Sequence, residues 1–150
     1  AFRRSLALNP RYVASWNNLG LALQELGQLD EAERAFLGGL AVEPEHPMLR
    51  KNLGIVLAAQ GKRAQAEEIY RGILRDYPQG WDTGLLLAGV LEAEGKPEEA
   101  AATCRFSLAR DPGLAPVRSR LVRLLRALGR PAEADSILRE GLRFGPGSRE

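Results

Sequence analysis

Arg120, Arg123 and Arg126 stand three residues apart, with Arg118 and Arg130 close by. On a helix this spacing drifts slowly around one side, so the guanidinium groups would gather into an electropositive end. Their fork geometry suits a carboxylate, a phosphate or an acidic peptide. A solvated face, or a surface that pairs with a following segment, would produce the same pattern. Asn18 and Asn52 offer a second kind of chemistry, because each side-chain amide carries both a donor and an acceptor. Catalytic groups are sparse. His46, between Glu45 and Pro47, has no second histidine and no cysteine near it in sequence, which excludes the usual metal-ligand spacings. Glu67-Glu68 and Glu98-Glu99 read as helix-start or exposed charges, not as an acid/base pair in an apolar cleft. The single cysteine, Cys104, excludes an internal disulfide.

The elements that must position these groups follow from a strict period. Pro10, Pro44, Pro78, Pro112 and Pro146 recur every 34 residues. Gly27, Gly61, Gly95 and Gly129 keep the same step, as do Leu19, Leu53, Leu87 and Leu121, and Ala32, Ala66, Ala100 and Ala134. A period of this length marks a solenoid, in which each unit stacks only on its neighbours. The expected fold is therefore all-α, an α-solenoid of helix pairs, with units at residues 13–46, 47–80, 81–114 and 115–148. Residues 1–12 match the end of a unit (AFRRSLALNP against AFLGGLAVEP at residues 35–44), so they are expected to be the second helix of a preceding repeat. With no initiator Met and no closing polar helix, the chain reads as a piece of a longer protein, and the compartment stays open.

Within the first unit, Val13, Trp16, Leu19, Leu23 and Leu26 follow the 3–4 spacing of one helical face and define a helix A. Gly27 suits the left-handed conformation that ends a helix. Asp30-Glu31 then opens helix B, where a carboxylate is expected to accept from the free backbone N–H groups. Pro97 and Pro131 open later B helices, where the missing proline N–H costs least. Gly20, Gly54 and Ala88 should let helix B approach closely, with Phe36 and Tyr70 filling the gap. Cys104 takes the place of those aromatics and so reads as a small core residue. Trp16 is expected in the core, and Trp81 either in hairpin packing or as an anchor at the edge of a binding surface.

Apolar residues make up 45% of the chain, enough for a core, yet no run approaches the roughly 18 that a membrane helix needs. The formal charge of +2 conceals an alternation. The four units carry one basic group against six acidic, six against three, three against six, and seven against three. Adjacent units should thus attract along the stack. A nucleic-acid partner does not fit, because acidic units interrupt the basic ones and aromatic residues do not interleave with basic ones.

The pattern resembles the tetratricopeptide repeat, whose 34-residue signature places Trp, Leu-Gly, Ala, an aromatic and Pro in order. The first unit supplies Trp16, Leu19-Gly20, Ala32, Phe36 and Pro44, and the second Leu53-Gly54, Ala66, Tyr70 and Pro78. The third keeps Leu87, Ala100 and Pro112 with Cys104 at the aromatic place; the fourth keeps Leu121, Ala134 and Pro146, with Val122 and Leu138 as departures. The resemblance implies a right-handed superhelix of antiparallel helix pairs, whose A helices line a concave groove for an extended or helical peptide. It also implies that the residue before the laddered leucine points into the groove, here Asn18, Asn52, Leu86 and Arg120. Local capping or exposed-face roles are the alternative for the asparagines. WNNLG at residues 16–20 is similar to the asparagine ladders of O-linked N-acetylglucosamine transferases, although the ladder ends after two rungs. The family's clamp for a C-terminal carboxylate is matched by Lys51 and Arg120 but broken by Ile55, Leu86 and Pro116.

These readings converge on a non-enzymatic scaffold that binds a peptide segment of a partner, for which acidic groups would suit the arginines, through Asn17, Asn18, Lys51, Asn52, Asp82, Arg120 and Arg123. No cofactor, metal or membrane insertion is expected. Two other readings stand beside it: a structural array that self-associates through open ends near Ile137, Leu138 and Leu142, and the recognition domain of a larger enzyme such as a glycosyltransferase.

Overall fold

In a computed structural model, residues 13–144 are described, and the expectation for residues 1–12 lies outside them. Eight helices and no strand occur among the described residues. They are α1 (Val13–Glu25), α2 (Leu29–Val42), α3 (Pro47–Ala59), α4 (Arg63–Asp76), α5 (Trp81–Ala93), α6 (Pro97–Arg110), α7 (Ala115–Ala127) and α8 (Pro131–Leu142). The fold is all-α, of the α-solenoid class: odd-numbered helices are the A helices and even-numbered helices the B helices. The chain divides into two compact units, Ala1–Ile73 and Leu74–Glu150, the boundary falling inside α4.

Each A helix ends in the same way. Gly27, Gly61, Gly95 and Gly129 adopt φ of +73°, +80°, +75° and +71°, a region that a side chain rarely enters. Gln28 N–H then donates to the Leu23 carbonyl at 2.9 Å and Gly27 N–H to that of Gln24 at 3.0 Å, which satisfies two carbonyls at the helix end. The bonds Lys62 to Leu57, Lys96 to Leu91 and Arg130 to Leu125 repeat the first of these. The starts of the B helices differ from expectation at one point. Asp30 and Glu31 lie in the first turn of α2, but Gln28 is its N-cap and supplies no side-chain bond. Asp30 instead accepts from Gln60 Nε2 at 2.7 Å, across to the second repeat. The charge of the first turn still complements the helix dipole.

In the first unit α1 and α2 form a hairpin closed by a small-against-large contact. A Cβ on Gly20 would stand 2.4 Å from the Phe36 ring, and one on Gly54 of α3 would stand 2.5 Å from Tyr70 of α4. Phe36 and Tyr70 are buried because those glycines leave room. Leu49 of α3 packs against Gly39 of α2, beside Trp16, and so seats the second repeat on the first. In the second unit α5 pairs with α6, and α7 with both α6 and α8. Here Ala88 replaces the glycine and Cys104 the aromatic, both buried, so the larger residue on one helix offsets the smaller on the other. The fourth repeat carries Val122, buried, opposite Leu138, which stays 41% exposed.

Candidate functional site

The residues marked by the sequence fall into one group in each compact unit. In the first, Asn17 on α1 and Asn52 on α3 meet: Asn52 Nδ2 donates to Asn17 Oδ1 at 2.8 Å. Asn52 is only 7% exposed, so its amide first ties neighbouring A helices together. Asn18 and Asn52, equivalent in the repeat, thus sit in different surroundings. Asn18 is exposed, while Lys51, the residue before Asn52, is half-buried.

The second unit uses charge where the first uses amides. Arg120 on α7 donates to Glu92 on α5 at 2.8 Å, and Arg123 reaches the other oxygen of Glu92 at 3.9 Å. Gly89 makes this possible, since a Cβ there would lie 3.2 Å from an Arg120 guanidinium nitrogen. Arg126 lies 3.7 Å from Asp135, and Arg130 bonds to Glu133 at 2.5 Å. The row of arginines is therefore threaded with carboxylates. Arg123 remains the most open, with 65% of its side chain exposed. Asp82 is half-buried in the first turn of α5, where its charge suits the helix start. Sequence reasoning missed Glu92. Its signal was the alternation of charge between units, which the pairs Lys62–Glu33 at 2.8 Å and Arg105–Glu133 at 2.6 Å also express.

Electrostatics around these groups favours recognition over bond chemistry. The Arg130 hydrogen bond, helped by Arg105, holds the Glu133 carboxyl below its ordinary value, and Lys62 does the same for Glu33. Burial pushes the Cys104 thiol up to about 11, the reverse of what a nucleophile needs. His46 serves as the N-cap of α3, its Nδ1 accepting from Leu49 N–H at 3.4 Å. Among the described residues no three His, Cys, Asp or Glu side chains cluster to hold a metal ion. Trp16 is half-buried against Gly38, and Trp81 is 39% exposed at the start of α5.

Comparison with known proteins adds three kinds of finding. One family model described as a tetratricopeptide repeat matches residues 18–80 and 51–115, and two further models of the same description match residues 91–150 and 1–34. No curated protein matches the chain. Among solved structures, "Crystal structure of MamA" is 15% identical with a TM-score of 0.81, covering 96% of this chain and 84% of that one. "MamA 41-end from Desulfovibrio magneticus RS-1" is 17% identical with a TM-score of 0.76, covering 95% and 78%. "MamA AMB-1 C2221" is 20% identical with a TM-score of 0.69, covering 89% and 78%. At such identities the likeness speaks for the fold.

Proposed function

The chain belongs to the tetratricopeptide repeat family of protein-interaction scaffolds, and from that premise we propose that it binds a peptide segment of a partner through the exposed polar side chains of its A helices. The observation that carries this reading is the division of labour in each unit. A polar pair, Asn17–Asn52 or Arg120–Glu92, locks adjacent A helices, while Asn18 and Arg123 remain exposed on the same helices. Side chains mounted on a helix already locked by its neighbour lose less entropy on binding. Asn18 can donate to and accept from a peptide bond, and Arg123 can meet a carboxylate. Lys51 and Asp82 belong to the same proposal, as flanking charges. Each such bond nets only ~0.5–1.5 kcal/mol, so affinity accumulates over several. No step of catalysis enters the proposal.

The test is affinity capture from a source-cell extract with the chain and, in parallel, with an Asn18→Ala/Arg123→Ala variant. Both positions are exposed, so the variant should keep stability within about 0.5 kcal/mol. The reading expects partners retained by the parent and lost by the variant. An identical set from both would place binding elsewhere. A second reading, self-association, is favoured by the exposure of Leu142 at 80% and Phe144 at 54% near the end of the fourth repeat. A mass that rises with concentration in sedimentation would support it.

A further inference from the structure

Within the second compact unit a cavity of about 500 Å³ opens between the end of α6 and helices α7 and α8. None of the seven A-helix residues named above lines it. Its apolar wall is formed by Leu108, Leu121 and Ile137, with Phe144 at its edge. A volume of this size lies in the range of about 300–1,000 Å³ typical of ligand pockets, which are mainly apolar with a few placed polar groups.

The polar groups here are cationic in excess. Arg118 stands where the period puts Trp16 in the first repeat, and Gly141 where it puts Gly39. In the first repeat a Cβ on Gly39 would lie 3.1 Å from Trp16 Cβ, while the Trp16 ring lies 2.9 Å from where a Cβ on neighbouring Gly38 would be. In the fourth the stem of Arg118 crosses Gly141 instead, its Cδ and Nε each 2.6 Å from where a Cβ would be. The missing side chain at 141 thus admits the arginine to the cavity wall, and a bond from Arg118 Nη2 to the Pro112 carbonyl holds it there. Arg105 also lines the cavity, but Glu133 matches its charge at 2.6 Å. Neither Arg118 nor Arg143 has a carboxylate partner among the described residues, and Glu140 contributes one unpaired acceptor.

We propose that this cavity is a second docking site, taking a partner peptide in which an aromatic or branched apolar residue is flanked by Asp or Glu. The apolar side chain enters against Leu108, Leu121 and Ile137. A flanking carboxylate meets the guanidinium groups of Arg118 and Arg143, and a peptide N–H donates to Glu140. Charge complementarity selects this occupant: a basic peptide would leave both arginines unmatched, and a bare anion would leave the apolar wall unused.

The probes are amidated, fluorescein-labelled peptides carrying one phenylalanine between pairs of glutamates, the same with lysines, and the glutamate peptide with serine for phenylalanine. Fluorescence anisotropy against the 150-residue chain should show binding of the first only. Arg143→Glu should weaken it at least tenfold. Gly141→Ala should weaken it without lowering the melting temperature, because the new methyl displaces a flexible arginine stem and alanine favours the helix. Asn18→Ala/Arg123→Ala should leave it unchanged, which keeps this site separable from the A-helix reading. Equal binding of the lysine peptide, indifference to Arg143→Glu, loss on Asn18→Ala/Arg123→Ala or no binding of any peptide would each overturn the proposal.

Discussion

Asn18 and Asn52 hold the same place in consecutive units, yet one is exposed and the other is buried against Asn17. A period fixes the backbone address of a residue. It does not fix the partner, which comes from the neighbouring repeat and changes with every substitution there. For the same reason Arg120 was legible as a cation while its partner, Glu92, was not. Asp30 makes the same point: its place in the first turn of α2 was legible, but its hydrogen-bond partner, Gln60, comes from the next repeat. Glu33 gives a prediction at this scale. The Lys62 hydrogen bond holds its carboxyl below 4.5, so the folded state binds fewer protons there than the unfolded chain. The resulting stability is present above that value and lost as pH falls through the lower folded one. Chemical denaturation should find Glu33→Gln less stable than the parent by under about 1 kcal/mol at pH 7, the difference shrinking as acid protonates the folded-state carboxylate. A gap that persists in acid would show that something other than the ion pair was lost.

At the scale of the helix pair the sequence was far more informative, because the conformation of a turn is decided locally. Four glycines in one phase predict four left-handed turns, and each has positive φ. The 3–4 apolar spacing and the opening prolines likewise place helices independently of any distant contact. The small-against-large ladder was legible as well, whereas its compensation in the third repeat, where Ala88 and Cys104 exchange size, emerged from the packing. It fails in the fourth, where Val122 fills the glycine position and Leu138 turns out partly to solvent. The contact in the first hairpin can be tested directly. Gly20→Ala should overpack against Phe36 and cost ~1–3 kcal/mol, offsetting any gain in helix propensity. Gly20→Ala/Phe36→Cys, which copies the third repeat, should recover part of that loss in thermal melts. A single variant as stable as the parent would show that the two helices are free to move apart.

For the whole molecule, the repeat pattern settles the family, and a scaffold family turns attention to surfaces. No described helix is long and apolar enough to cross a membrane. Charge is spread so that neighbouring repeats attract, as Lys62–Glu33 and Arg105–Glu133 show. The cavity beside α8 escaped sequence reasoning because it arises from two small departures, Arg118 and Gly141, that only packing brings together. The central claim is that a partner rests on the A helices. Hydrogen exchange of the chain with and without a captured partner, read by mass spectrometry, tests it most directly. The account predicts slowed exchange in the segments containing Asn18, Lys51 and Arg123, with the B helices little changed; protection confined to α8 and residues 143–144 would contradict it.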